Sequence, residues 1–238
     1  MAKAHRRRVV RAVWTLYRRM RLRARSQFGL SLTEIDRFRL AGWNEMIEGD
    51  LPLTSASVVW EFGGYLGRWS REITRRYGCR LHVFEPIPEF FLELENVFAD
   101  DARVTVHRCA IGAEQGTRNF GMAADGTGLF AGGEQVPVAF ESADYLRRLM
   151  AGPVDLVAIN IEGGEYELLP LLATEGILPS VKMLLVQFHI VGSRAESERR
   201  REQCRQLLTA THTNLWTFEF VWEAWVVRDD LAGSRSDH

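Results

Sequence analysis

The chain has 238 residues, of which 46% are hydrophobic and 26% charged, and its formal net charge is −1. This length is enough for one sizeable α/β domain, and no apolar run reaches the roughly 18–20 residues of a membrane span. The three cysteines, at positions 79, 109 and 204, are scattered and fit neither a metal site nor a disulfide framework. We therefore expect a cytoplasmic protein whose cysteines pack in or near the core.

The positive charge is concentrated at the start of the chain. Residues 1–25 hold ten basic side chains and no acidic one. Residues 6–25 are predicted to form a helix with an apolar stripe between its arginines. Three interpretations stay open: packing on the main domain or on a second subunit of a homodimer, contact with an anionic membrane surface, or binding of a phosphorylated or nucleic-acid partner. We prefer the first and expect no nucleic-acid ligand.

Residues 31–49 predict a second helix, capped by Ser31 or Thr33 with an acidic residue in its first turn. Pro52 follows, so residues 1–50 are expected to be a basic helical extension and residues 51–238 the main domain. In the main domain, strand and helix patterns alternate. Strands are predicted at 58–61, 80–84, 104–107, 154–161 and 183–188, helices at 67–78, 88–99, 166–174 and 194–210, and an antiparallel pair at 215–220 and 224–228. This order predicts an α/β fold with one doubly wound, mostly parallel sheet.

Residues 112–133 interrupt this alternation with seven glycines. They precede a short apolar stretch at 136–140. One interpretation is a β-hairpin with flexible turns, and the other is a mobile loop beside the active site.

Several polar residues and glycines follow the ends of the predicted strands, where ligands bind in open parallel sheets. Glu61, Gly63, Gly64 and Gly67 end the first strand and open a helix, an arrangement that can receive a nucleotide-like ligand. Glu85 ends the next strand, where a carboxylate can accept hydrogen bonds from both hydroxyls of a ribose. An acid before the loop suits a cationic ligand such as S-adenosylmethionine (SAM) and would repel the pyrophosphate of a nicotinamide dinucleotide.

Five segments in this order resemble the FkbM family of SAM-dependent methyltransferases: residues 59–67, 83–86, 110–112, 159–165 and 186–189. The resemblance covers about residues 57–228. It implies a Rossmann-like class I methyltransferase fold with a seven-stranded sheet. It also implies methylation of a hydroxyl group on a sugar or a secondary metabolite.

The resemblance further assigns the parts of the cofactor to this chain. Glu61 and the glycines of its loop would hold the methionine end of SAM, and Glu85 would bind the ribose. The residues that would flank the adenine are Pro86, Ile87, Ala110 and Ile111.

The chain departs from the family at two acidic positions. The family motif reads Lys-x-Asp-x-Glu-Gly-x-Glu. This chain has Ala158 at the lysine position and Asn160 at the aspartate position, and it has Gln187 where the family has an acid near the fifth strand. An amide accepts no proton at neutral pH and is a poorer metal ligand than a carboxylate, so we expect no metal site. The substitutions leave open a catalytically degenerate binding or scaffold protein, and a nicotinamide-dependent oxidoreductase is a third alternative.

His189 is the first candidate for the general base of methyl transfer, because its usual pKa suits proton transfer near neutral pH. Glu162 and Glu165 are the alternatives, and Glu165 is also a candidate cap for the helix that begins near Gly164. Asn160 would orient the substrate or the ammonium group of SAM. An aromatic wall for the acceptor is expected from among Trp43, Tyr65, Trp222 and Trp225, although core packing is the expected role of most of them.

Overall fold

The computed structural model describes residues 32–42, 45–123, 126–128 and 134–232. The predicted helix at 6–25 and the side chain of Trp43 lie outside these residues. The chain divides into two compact units between Leu51 and Pro52. Within the described residues, no helix has the length and apolar character needed to cross a membrane.

The first unit contains helix α1 (Glu34–Leu40) and a π-helical turn (Glu45–Gly49). Thr33 caps α1 by accepting the backbone N–H of Asp36, whose carboxylate in turn accepts the N–H of Thr33. The prediction of one continuous helix over residues 31–49 is wrong. Gly42 follows α1 with a φ of +87°, a left-handed conformation that ends helices.

The second unit alternates strands and helices. In chain order its elements are β1 (Val58–Phe62), α2 (Arg68–Tyr77), β2 (Arg80–Phe84), α3 (Pro88–Phe98), β3 (Val104–His107), β4 (Ala110–Ile111), β5 (Gly116–Ala123), β6 (Gly126–Gly128), β7 (Glu134–Glu141), α4 (Ala143–Leu149), β8 (Leu156–Ile159), α5 (Glu165–Thr174), β9 (Met183–Val186), α6 (Arg194–Thr209), β10 (His212–Phe218), β11 (Trp222–Val227) and α7 (Asp229–Ala232).

Seven of these strands form the central sheet, in the order β10-β11-β9-β8-β1-β2-β3. The five strands from β9 to β3 are parallel, and β11 runs antiparallel to both β9 and β10. The predicted doubly wound, mostly parallel sheet is therefore confirmed. Strands β8 and β9 are buried along their whole length, as expected for central parallel strands covered on both faces.

Several predicted strand boundaries are wrong by one to three residues. The fourth predicted strand, 154–161, pairs continuously only over Leu156–Ile159, because the chain turns away beyond Ile159 through Glu162 and Gly163 at positive φ. Strand β10 begins at His212, three residues before the predicted start. The three cysteines are free and buried, which confirms their predicted packing role.

A second sheet has the order β4-β7-β5-β6. Strands β5 and β7 pair antiparallel from Gly116 opposite Phe140 to Met122 opposite Glu134. Of the two interpretations of the glycine-rich stretch, the β-hairpin is thus confirmed in the described residues. The hairpin brings Phe120 and Phe140 together, with ring centroids 5.8 Å apart.

Candidate functional site

The loop after β1 touches the loop after β8 at the carboxyl edge of the central sheet. Asn160 donates its backbone N–H to the carbonyl of Phe62 over 3.0 Å. A Cβ atom at Gly63 would lie 2.0 Å from the carbonyl oxygen of Asn160, and the φ of Gly63 is +90°. Only glycine fits this position, because both its backbone conformation and its neighbour exclude a side chain.

The other two glycines of the loop, Gly64 and Gly67, are also packed too closely against neighbouring side chains to accept a Cβ atom. A Cβ at Gly64 would lie 2.3 Å from Val83 Cγ1, and a Cβ at Gly67 would lie 2.9 Å from Leu94 Cδ2. Gly67 has a φ of +70° and precedes the first residue of α2. The close approach expected from these glycines therefore serves packing against β2 and α3, and this packing fixes the path of the loop.

Two bulky residues at this edge carry left-handed backbone conformations. Tyr65 has a φ of +47° in the loop after β1, and Glu162 has a φ of +49° in the loop after β8. Such conformations cost on the order of 1–3 kcal/mol in non-glycine residues and cluster at functional sites. Tyr65 is 57% exposed, and its ring meets the ring of Phe90 at 4.6 Å between centroids. The strain marks this edge as the candidate functional site.

The strain at Tyr65 can be measured by comparing two substitutions that both remove the ring. Asparagine tolerates the left-handed region better than alanine. We therefore expect the Tyr65→Asn variant to be more stable than Tyr65→Ala by about 1 kcal/mol in urea unfolding. Equal stability of the two variants would show that residue 65 is not held in this conformation.

Glu61 is a buried carboxyl group at the end of β1. It accepts a hydrogen bond from the hydroxyl of Ser70, in the first turn of α2. Burial raises the pKa of Glu61 to about 8, and although the hydrogen bond from Ser70 lowers it, the charge of Glu85 raises it further. At neutral pH the group is therefore mostly protonated, and a cation placed beside it would favour its ionised form. The sequence analysis missed the part that Ser70 plays.

Glu85 joins the loop after β1 to the segment after β2. One carboxylate oxygen accepts the N–H of Tyr65 over 2.9 Å, and the other accepts the N–H of Ile87 over 3.0 Å. Burial raises the pKa of Glu85, and these backbone hydrogen bonds oppose the rise. The N–H of Gly64 is a third backbone donor to this carboxylate. A carboxylate has about four acceptor sites, so about one remains for a hydroxyl group of a ligand.

Three of the four residues expected to flank an adenine line one apolar cavity. These are Pro86, Ala110 and Ile111. Ile87 does not line it, and packs instead in a small apolar cluster with Val138 and Phe140.

His189, which follows β9, is hydrogen-bonded to Glu165, the first residue of α5. The buried carboxylate of Glu165 accepts the backbone N–H of His189 over 2.7 Å and lies 3.2 Å from its Nδ1. Its other oxygen accepts the N–H of Gly163 over 2.8 Å. Tyr166 also contributes, because its hydroxyl donates to the carbonyl of His189 over 2.7 Å, a contact that the sequence analysis did not foresee. This network fixes the position of the imidazole.

The other imidazole nitrogen, Nε2 of His189, is buried without a well-aligned hydrogen bond, and an oxygen of Glu162 lies 3.4 Å away. Burial lowers the pKa of His189, but hydrogen bonds and charge from Glu162 and Glu165 outweigh it and raise the pKa to about 9. At neutral pH the imidazole of His189 is therefore mainly in its cationic form, with a proton on both ring nitrogens.

The remaining predicted residue at this edge, Asn160, has an exposed side chain. Across the part of the chain that the structure describes, no group of three or more His, Cys, Asp or Glu side chains is placed to hold a metal ion. The arrangement thus combines the buried acid Glu61, the Glu85 carboxylate held by backbone N–H groups, and a positioned histidine along one edge.

Known structures share this architecture. No protein-family model matches the chain, and no curated protein matches it significantly. A candidate rRNA methylase from Clostridium thermocellum superposes with a TM-score of 0.53 at 10% identity, over 79% of this chain and 94% of that chain. A fibrillarin/Nop5p complex gives a TM-score of 0.50 at 10% identity, over 82% and 81%. The fold is that of the Rossmann-like class I methyltransferases.

Proposed function

We propose that this protein is a SAM-dependent O-methyltransferase of the FkbM type that acts in the cytoplasm on a small-molecule hydroxyl group. The observation that carries the proposal is Glu61, a buried carboxyl group beside the glycine loop that accepts a hydrogen bond from Ser70 and whose pKa burial raises to about 8. An α-ammonium group is a cation of suitable size to ionise it.

The residues present fit the rest of SAM. Glu61 would hold the ammonium group, and Glu85 would accept a hydrogen bond from a ribose hydroxyl. The apolar cavity lined by Pro86, Ala110 and Ile111 would receive the adenine. Pyrophosphate fits poorly, because it adds negative charge beside the loop and offers Glu61 no cationic group. This set of groups favours SAM over a nicotinamide dinucleotide.

When bound, SAM supplies a methyl group activated by its sulfonium. The task of the protein is then to align the acceptor hydroxyl and to take its proton. Nε2 of His189 would take this proton, and Glu165 would hold the ring through Nδ1 and stabilise the imidazolium that forms. Glu162 would shift away from Nε2 to admit the hydroxyl. A cation in the neighbouring site would lower the pKa of His189 towards neutrality and thereby prepare it as a base.

Binding of S-adenosylhomocysteine, measured by titration calorimetry with NAD as the control, tests the cofactor. We expect micromolar binding of S-adenosylhomocysteine and no binding of NAD. The Glu85→Ala variant should bind about 30-fold more weakly, because a hydrogen bond to a charged acceptor, worth about 2 kcal/mol, is lost. Thermal unfolding should show that the variant is folded. Binding of NAD, or of neither compound, would overturn the proposal.

A binding or scaffold protein on the same fold is the second candidate, and the amides Asn160 and Gln187 favour it. Such a protein would transfer no methyl group to any acceptor in a panel of hydroxylated sugars and natural products. In both cases we propose that residues 1–50 are a basic helical extension and that residues 51–238 are the ligand-binding domain.

A further inference from the structure

Helices α2 and α3 lie side by side on one face of the central sheet. They follow the neighbouring strands β1 and β2, and right-handed crossovers place both helices on the same side. The two helices are in close contact, because a Cβ atom at Gly67, the residue before α2, would lie 2.9 Å from Leu94 and 3.1 Å from Phe98 of α3. Their outer surfaces therefore form one continuous surface.

The two outer surfaces carry opposite charge. The exposed side of α2 holds four arginines, and the one acid of this helix, Glu72, accepts a hydrogen bond from Arg75 over 3.1 Å. Helix α3 holds three exposed glutamates and no basic residue. We name these two sets the basic face (Arg68, Arg71, Arg75, Arg76) and the acidic face (Glu89, Glu93, Glu95). The formal net charge is +3 for α2 and −3 for α3.

These opposite charges do not neutralise each other within the chain. Among the described residues, no basic side chain forms an ion pair with the acidic face, and no carboxylate lies within ion-pair distance of Arg71 or Arg76. Leu92 is 56% exposed, and it lies between Glu89 and Glu95 on the acidic face, three residues from each. An exposed apolar side chain surrounded by charges is arranged like a protein interface, with an apolar centre and a polar rim.

We infer that this surface is the interface of a homodimer, in which the basic face of each copy packs on the acidic face of the other. A twofold axis that runs parallel to the two helices and between them sets α2 opposite α3 of the second copy, and sets α3 opposite its α2. Both sets of charges thereby find partners in one contact. A nucleic acid or an anionic membrane would attract the basic face but would be repelled by the acidic face beside it. Charge complementarity therefore favours a second copy of this chain.

Sedimentation equilibrium of the full chain tests this interface. We expect a dimer with a micromolar Kd in about 50 mM salt, and association at least tenfold weaker in about 500 mM salt, because salt screens exposed charges. The variant Arg71→Glu/Arg76→Glu should be monomeric at micromolar concentration, and so should Glu89→Arg/Glu93→Arg, since each sets like charges opposite each other. An equimolar mixture of the two variants should form a heterodimer, because each altered face then meets a face of opposite charge.

Reversal of two arginines elsewhere is the matched control. Arg148→Glu/Arg199→Glu changes exposed residues of α4 and α6 by the same total charge and should leave the dimer intact. Thermal unfolding checks that each variant is folded. A monomer at both salt concentrations, a dimer that both reversals leave intact, or a mixture that stays monomeric would each overturn the inference. Another contrary result would be a monomer that binds vesicles of anionic lipid and loses this binding in Arg71→Glu/Arg76→Glu.

Discussion

Replacing His189 by alanine is expected to lower kcat for methyl transfer by about 10²–10⁴-fold, the usual contribution of a general base. Binding of S-adenosylhomocysteine should change by less than threefold, because His189 is assigned to the acceptor. Transfer would be measured from radiolabelled SAM to an acceptor found in a panel of hydroxylated sugars and natural products. A kcat within threefold of the original, in a variant with normal unfolding, would exclude His189 as the base.

The pH dependence of kcat gives a second view of the same residue. A base must be unprotonated, and the pKa of His189 without ligand is about 9. Turnover should therefore rise with pH and level off at or below pH 9, depending on how far the bound cation lowers the pKa. Glu165→Gln removes a negative charge from the imidazole, so the rise should move to lower pH. An NMR titration of the imidazole should show the same downward shift without any acceptor.

Glu61 is expected to make the stability of the ligand-free protein fall steeply with pH. Its pKa is about 8 in the folded protein against an ordinary value of 4.5, so the folded state binds more protons between these values. The stabilising contribution is complete below pH 4.5 and is lost as the pH rises through 8. At about 1.36 kcal/mol per pKa unit, the loss is on the order of 5 kcal/mol.

The Glu61→Gln variant isolates this contribution. Glutamine does not titrate and can still accept the hydrogen bond from Ser70. The difference in unfolding free energy between the two proteins, followed by urea denaturation from pH 5 to 9, should change in favour of the variant by several kcal/mol. His189 adds a change of the same sign between pH 6.5 and 9, but both proteins share it. A difference that stays constant with pH would show that Glu61 is already ionised in the folded protein.

The alternation of apolar segments and the residues at strand ends were enough to predict the central sheet and the place of Glu61 and Glu85. Both follow from local signals, because a buried parallel strand is a short apolar run and its end is where the polar residues begin. The limits of the fourth strand could not be predicted from such signals. The chain turns at Glu162 with a positive φ, and a glutamate in the sequence does not indicate that conformation.

Contacts between distant segments were the part that the sequence did not reveal. Glu165 lies 24 residues before His189 along the chain, and their pairing depends on the neighbouring positions of β8 and β9. Phe140 lines the cavity because its strand, β7, belongs to the second sheet. The apolar character of Phe140 alone does not predict this location. The π-helical turn after Gly42 was missed for another reason, since the apolar spacing of residues 31–49 continues across the break.

The contact between Gly63 and Asn160 has a mechanical consequence. The two loops touch with no room for even a methyl group between them, and each belongs to a strand fixed in the sheet. A displacement of the first loop, caused by a molecule settling on it, must push on the second. The second loop carries Glu162, which would have to leave His189 before an acceptor enters. The freedom of each loop to move is thus limited by steric contact with the other.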